Sequence, residues 1–89
     1  MTGSLDPRRR RLLFRSQHRG TKETDQMLGG FAAQHLARLT DGQLDRFEAL
    51  LEAPDGDLVD WISGRLPAPP PYNHDVMDLL IAFNAKPRS

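Results

Sequence analysis

The stretch HRGTKETD, residues 18–25, joins two segments whose apolar residues are spaced as in helices. Gly20 occupies the position of the glycine that commonly ends a helix. Thr21 is a favoured N-cap residue, and Glu23 and Asp25 place negative charge near the positive end of the helix that follows. The stretch therefore predicts a tight corner between two consecutive helices.

The segments on both sides of this corner have the features of α-helices. Asp6 supplies an N-cap and Pro7 a first helical residue, which predicts a first helix over residues 7–18. A second helix is predicted over roughly residues 22–38, because its apolar residues follow the i, i+3, i+4, i+7 spacing of one buried face. The apolar content of the first helix is Leu12, Leu13 and Phe14. The buried face of the second is expected to hold Leu28, Phe31, Ala32, His35, Leu36 and Leu39.

Two consecutive glycines, Gly29 and Gly30, lie inside the second predicted helix. A glycine in a helix interior costs about 1 kcal/mol relative to alanine. We therefore expect either that a neighbouring segment approaches closely at this point or that the helix bends.

Three more helices are predicted in the second half of the chain. Residues 40–43, TDGQ, form a capping-box pattern that starts a third helix, which ends near Glu52. Asp55 or Asp57 can cap a short fourth helix, and Gly64 is expected to end it.

A proline-rich segment, PAPPP at residues 67–71, separates the fourth helix from the last. Proline lacks the backbone N–H that a helix interior needs, so an extended, polyproline-like connector is predicted. Asn73 is expected to begin the last helix, which runs through Phe83.

The chain has 89 residues and no cysteine, which predicts one small domain without disulfides or thiolate metal sites. We expect an all-α fold, a compact, bundle-like single domain of five helices over residues 1–89. Its termini, residues 1–6 and 86–89, are expected to be flexible. No apolar run approaches the ~18 residues that span a bilayer, so no membrane insertion is expected, and we expect a monomer.

The formal net charge is zero, but the two halves of the chain differ in sign. Residues 1–40 hold eight basic and three acidic side chains, whereas residues 41–89 hold four basic and nine acidic ones. This polarity favours docking to a charged partner over general binding of nucleic acid, which would need a basic excess. The densest run, Arg8 to Arg11, has no interleaved aromatic residues for base stacking, so no nucleic-acid partner is expected.

Motifs for catalysis or metal binding are not found in the sequence. His18, His35 and His74 lack metal-ligand spacing, and His35 is expected to be a hydrogen-bonded core histidine. No nucleophile motif and no phosphate-binding glycine loop is present, so we expect no catalytic residue, no metal and no enzyme activity. Trp61 lies at helical spacing, which favours a core side chain over an exposed interface anchor.

The corner itself is the most plausible functional feature. Arg19 lies beside the helix end, and Glu23 follows four residues later. Two opposite charges on a rigid turn are well placed to enter a partner's cleft, where the guanidinium would bind a carboxylate.

Residues 19–23, Arg-Gly-Thr-Lys-Glu, have the form RGxxE. With the stretches RRLLFRSQHRGTKETD (10–25) and LGGFAAQHLARLTDGQLDRFEALLEAPDGDLVDWISGRLPAPP (28–70), the chain resembles the succinate dehydrogenase FAD-assembly factors over about residues 10–83. The resemblance implies a five-helix fold and a chaperone that binds the flavoprotein subunit of succinate dehydrogenase, and in some bacteria of fumarate reductase. It further implies that the factor promotes covalent attachment of FAD to that subunit. The FAD then belongs to the client, and none is bound stably by the factor.

The resemblance also implies which residues contact the client. Arg19, Gly20 and Glu23 match the family motif by position. Their expected surroundings are Arg15, His18 and Asp25. No mitochondrial presequence precedes the matching segment, which favours a bacterial cytoplasmic protein. The alternative is a small regulatory or antitoxin-like binding protein that uses the basic residues Arg8 to Arg11.

Overall fold

The computed structural model describes residues 5–85. In that range it has five α-helices, two short 3₁₀ turns and no strand, which confirms the all-α prediction. The α-helices are α1 Pro7–Gln17, α2 Lys22–His35, α3 Asp41–Leu51, α4 Asp55–Ile62 and α5 Asp75–Ala85. The 3₁₀ turns are Leu36–Arg38 and Pro70–Tyr72. The prediction of flexible termini lies outside this range, apart from residues 5 and 6.

One cluster of buried apolar side chains, to which all five helices contribute, forms the core of residues 5–85. Phe31 and Phe47 are its largest fully buried members, with ring centroids 5.8 Å apart. Trp61 is buried and stacks on Tyr72 at 5.0 Å, which confirms its expected place in the core. Other members of the cluster are Leu12, Leu28, Leu36, Leu44, Leu50, Leu58, Ile62, Val76, Met77 and Leu80.

The glycine pair in α2 allows two neighbouring helices to approach closely. A Cβ atom added to Gly29 would lie 2.8 Å from Cγ and 3.3 Å from Cα of Gln17 in α1. One added to Gly30 would lie 3.5 Å from the ring of Phe83 in α5, an ordinary van der Waals contact. The close approach is therefore confirmed at Gly29.

The second helix is shorter than the sequence predicted. It ends at His35 instead of residue 38, and the chain continues as a 3₁₀ turn in which the Leu39 N–H donates to the Leu36 carbonyl at 3.3 Å. Arg9 of α1 donates Nε to the Leu36 carbonyl at 2.7 Å and Nη2 to the Leu39 carbonyl at 2.5 Å. The end of α2 is thus capped by a side chain from another helix, which local sequence does not reveal.

The two central helices begin differently from each other. Thr40 and Gln43 form the predicted capping box at the start of α3, with bonds of 3.2 and 2.9 Å. The prediction that Asp55 or Asp57 caps α4 is wrong, because Pro54 is the N-cap residue and no side chain caps the helix. Asp55 is instead the first helical residue, and its carboxylate binds groups from other segments.

The proline-rich segment is only partly extended. Pro70 and Pro71 begin a 3₁₀ turn, closed by a 2.8 Å bond from the Tyr72 N–H to the Pro69 carbonyl, so the fully extended prediction is wrong there. Proline fits this position because its φ is helical and the first residues of a helix need no N–H donor.

The last helix begins at Asp75, two residues later than predicted. His74 provides the start, since its Nδ1 accepts from the Met77 N–H at 3.2 Å. Burial lowers the pKa of His74 below its usual 6.5, which favours the neutral ring that can accept this bond. Within the described part of the chain, no helix has the length and apolar character needed to cross a membrane.

Candidate functional site

The corner between α1 and α2 has the predicted geometry. His18 is the C-cap of α1, and Thr21 is the N-cap of α2, where its hydroxyl accepts from the Thr24 N–H at 3.3 Å. Gly20 between them has a φ of 111°, in a region that residues with a Cβ rarely adopt. A Cβ at Gly20 would meet no atom within 4 Å, so the backbone conformation, and not crowding, requires glycine here.

The side chain of Arg19 points into the protein and is only 11% exposed. Its Nε and Nη2 atoms lie 2.9 and 2.6 Å from Oδ1 of Asp55. Nη2 also donates to the Ala53 carbonyl at 2.8 Å, and Nη1 donates to the Leu51 carbonyl. The expectation that this guanidinium projects from the corner therefore does not hold in this structure. A carboxylate and two carbonyls at the α3–α4 linker satisfy the donors of Arg19 internally.

Asp55 extends this network to the first turn of α2. Its Oδ2 accepts from the hydroxyl of Thr24 at 3.2 Å, and Thr24 is buried. The backbone N–H of Arg19 donates to Oδ1 of Asp25 at 2.6 Å, which fixes the corner from its other side. Asp55 is a site residue that the sequence did not predict, since its partners lie 31 and 36 positions away.

The exposed residues of the corner are His18, Gly20, Thr21, Lys22 and Glu23. Glu23 lies in the first turn of α2, and its carboxylate forms no hydrogen bond or ion pair with any other part of residues 5–85. The corner thus presents a free carboxylate and an accessible stretch of backbone. The Arg19–Asp55 pair, on the inner side of the corner, holds this carboxylate and this backbone in place.

His18 and Phe14 form an aromatic pair next to the corner. Their ring centroids are 3.9 Å apart at an interplanar angle of 20°, and His18 Nδ1 lies 2.8 Å from the Phe14 carbonyl oxygen. Phe14 was counted with the apolar content of the first helix, yet it is 62% exposed. Helical geometry gave the signal for this, because residues two positions apart point about 200° apart, away from buried Leu12.

Two of the five arginines of α1 pair with acidic side chains of α3 and its C-cap residue. Arg15 lies 2.6 Å from Glu52, and Arg8 lies 2.6 Å from Asp45 and 3.0 Å from Glu48. The opposite charges of the two halves of the chain are thus partly neutralised inside the molecule. These pairs are exposed to solvent, which screens them and makes their contribution to stability small.

Among residues 5–85, no group of His, Asp or Glu could hold a metal ion. His35, expected in the core, packs its ring against Phe31 at 4.7 Å and is half-buried. A shallow cavity of about 270 Å³ beside the corner is lined by Phe14, Arg15, His18, Arg19 and Asp55.

Comparisons with known proteins identify the family of the chain. The family model Sdh5, described as flavinator of succinate dehydrogenase, matches residues 10–84. The chain is 50% identical over 66 residues to the FAD assembly factor SdhE of Acetobacter pasteurianus, covering 74% of the chain and 61% of that protein. It is 45% identical over 60 residues to the mitochondrial succinate dehydrogenase assembly factor 2 of Candida glabrata, covering 67% of the chain and 39% of that protein.

A more distant relative matches over nearly the whole chain. The mitochondrial succinate dehydrogenase assembly factor 2 of Danio rerio is 37% identical over 82 residues, which cover 90% of this chain and 52% of that protein. The chain therefore spans less than two thirds of the length of each of these relatives. The match over residues 10–84 shows that the chain belongs to the Sdh5 family, the flavinators of succinate dehydrogenase.

Proposed function

We propose that the chain is an assembly factor that binds the flavoprotein subunit of succinate dehydrogenase and promotes covalent attachment of FAD to that subunit. Family membership and the names of the relatives support this role. The observation that carries it is the corner at residues 18–25, which is held by hydrogen bonds to Asp25 and Asp55 and is exposed at its tip. Such a corner suits insertion between segments of a larger protein.

The factor itself makes and breaks no bond in this proposal. Covalent attachment requires the flavin and a histidine of the flavoprotein to be held in near-attack geometry, and both groups belong to the client. The factor binds the client conformation in which they are aligned more tightly than other conformations, which shifts the population toward it. FAD is thus a cofactor of the client and not of the factor.

Of the motif residues, two contact the client and one stabilises the corner. Gly20 allows the client backbone to approach closely, since no side chain stands in the way. Glu23 offers its free carboxylate to a donor of the client. Arg19 supports both by fixing the corner to Asp55. His18, Arg15 and Asp25 surround the contact: Asp25 holds the corner backbone, and the other two line the adjacent cavity.

The proposal includes a bacterial cytoplasmic location, a monomeric factor and fumarate reductase as a second candidate client.

The alternative role, binding of nucleic acid or an unrelated partner through Arg8 to Arg11, has less support. Arg8 is paired with Asp45 and Glu48, and Arg9 is bound to Asp6 and to the end of α2. Only half of the run is left for an external partner.

A pull-down followed by denaturing electrophoresis tests the proposed function. The tagged chain is captured from cells that make succinate dehydrogenase, and the flavoprotein band is examined for fluorescence, which only covalently held flavin retains. We expect the flavoprotein to co-purify with the chain, and its fluorescence to be lost in cells that lack the chain. Equal fluorescence in cells with and without the chain would contradict the proposal.

A further inference from the structure

The most exposed large apolar side chain among the described residues is Phe14, at 62%, whereas Leu12 on the same helix is 2% exposed. The Phe14 ring is nevertheless held in one orientation. It stacks on His18 at 3.9 Å, and the His18 ring is itself bonded to the Phe14 carbonyl oxygen at 2.8 Å. An exposed aromatic ring that already stacks on a neighbouring side chain loses less conformational freedom on binding than an unstacked one, which favours a role as an interface anchor.

Phe14 lies between the corner and the cationic outer face of α1. One shallow cavity, of about 270 Å³, joins Phe14 to His18 and Arg19 of the corner. A second, of about 470 Å³, is lined by Phe14 together with Pro7, Arg10, Arg11 and Arg15. The corner and this face of α1 therefore form one continuous surface, with the aromatic ring near its middle.

The charges around Phe14 indicate the chemistry of the partner. Arg10 donates to the carbonyl of Leu5 at 2.8 Å, and neither Arg10 nor Arg11 forms an ion pair within residues 5–85. Both are exposed, in contrast to Arg8 and Arg9, whose charges are paired internally. Two exposed cations without ion pairs, beside an aromatic ring, complement an apolar recess with acidic side chains at its rim.

We propose that Phe14, flanked by Arg10 and Arg11, inserts into an apolar recess with an acidic rim on the client flavoprotein. This inference rests on the proposed function and adds a second contact, along α1, to the contact at Gly20 and Glu23. A protein partner suits this surface better than a lipid or nucleic acid, because one aromatic ring and two free cations provide too little for either.

Substitutions at exposed positions test this contact without disturbing the core. We compare the affinities of Phe14→Ala and Phe14→Tyr for the purified apo-flavoprotein of succinate dehydrogenase by calorimetry. Leu66→Ala, at a residue 51% exposed outside α1, is the matched control. We expect Phe14→Ala to weaken binding at least about tenfold, Phe14→Tyr to retain most affinity, and Leu66→Ala to bind as wild type. Equal affinities of Phe14→Ala and wild type would overturn the inference.

The cations are tested in the same assay. We expect Arg10→Gln/Arg11→Gln to weaken binding and to reduce its salt dependence, whereas Arg38→Gln, an exposed arginine that follows α2, leaves both unchanged. If the affinities of Arg10→Gln/Arg11→Gln and Arg38→Gln depended equally on salt, the inference that the recess has an acidic rim would be overturned.

The outcomes separate this inference from the proposed function. If Phe14→Ala binds the flavoprotein and supports flavin attachment as well as wild type does, only the Phe14 contact is contradicted. If the wild-type chain does not bind the flavoprotein, both proposals are contradicted. If the wild-type chain self-associates in sedimentation experiments and Phe14→Ala does not, the Phe14 face of α1 binds a second copy of the chain. Phe14-dependent binding to anionic phospholipid vesicles would assign it to lipid. Either result, without a Phe14 effect on client binding, overturns the inference.

Discussion

Arg19 and Asp55 form an ion pair at 2.6 Å, although 36 positions separate them in the sequence and their side chains are only 11% and 25% exposed. The pair connects the α1–α2 corner to the first residue of α4. The exposed tip of the corner, Gly20 and Glu23, therefore rests on a buried polar network. Motif residues that are adjacent in sequence have different roles, since the arginine supports the corner while the glycine and the glutamate remain accessible.

Loss of the Asp55 carboxylate is expected to destabilise the fold. Asp55→Ala removes an acceptor of Nε and Nη2 of Arg19 and of the Thr24 hydroxyl, which leaves Nε without a partner and the mostly buried guanidinium without its carboxylate. We expect a loss of about 2 to 3 kcal/mol in the free energy of unfolding, measured with urea. Asp57→Ala, in the same first turn but exposed, is the control and should cost well under about 1 kcal/mol. Equal losses in the two variants would show that the network contributes no stability.

The neighbouring glycines of α2 are expected to respond in opposite directions to alanine. Gly29→Ala places a Cβ 2.8 Å from Gln17 Cγ, so α1 must shift, and we expect a loss of about 1 to 2 kcal/mol. Gly30→Ala makes only a 3.5 Å contact with Phe83 and improves helix propensity, so a gain of up to about 1 kcal/mol is expected. Thermal unfolding of both variants checks this, and a shift of the same sign in both would refute the packing argument.

Gly20 and Gly64 provide a matched pair that separates backbone strain from docking. Both have positive φ angles, 111° and 83°, and a Cβ at either would meet no atom within 4 Å. We expect Gly20→Arg and Gly64→Arg each to cost about 1 to 2 kcal/mol of stability, by urea unfolding, for the same conformational reason. Only Gly20→Arg should block binding to the flavoprotein, because its side chain occupies the tip of the corner. If Gly64→Arg blocked binding equally, strain alone would explain the effect.

The free energy of unfolding is expected to fall at acid pH because of Asp75, the first residue of α5. The pKa of Asp75 is lowered from 3.8 to about 2, first by the hydrogen bond from Gln43 and then by Arg46. Its contribution to stability is therefore fully present above 3.8 and is lost as the pH falls toward about 2. The difference in melting temperature between wild type and Asp75→Asn should shrink over that window, and Asp78→Asn controls for loss of charge on the same helix. A constant difference across the window would contradict this assignment.

Local signals in the sequence were sufficient to predict most of the fold. The capping box at Thr40 and the corner at Gly20 depend only on residues within a few positions of each other, and both were predicted correctly. The end of α2 was not predicted correctly, because the side chain that caps it belongs to Arg9 of α1.

The candidate site was predicted less completely than the fold. The position of the corner followed from local capping residues, but the inward direction of Arg19 depends on Asp55 and on carbonyls of the α3–α4 linker. Such distant partners become visible only when the helices are packed. The exposure of Phe14 could have been read from helical geometry, since Leu12 on the opposite side is the buried residue.

Reconstitution with purified components tests the central claim most directly. The apo-flavoprotein and FAD are incubated with wild-type chain or with Glu23→Gln, and covalent flavin is measured by fluorescence after denaturation. Asp41→Asn is the control, since Asp41 is likewise an exposed acid in the first turn of a helix. We predict that wild type and Asp41→Asn raise the yield of covalent flavin above that without factor, and that Glu23→Gln lowers it with unchanged folding. An equal yield with and without the wild-type chain would contradict the account.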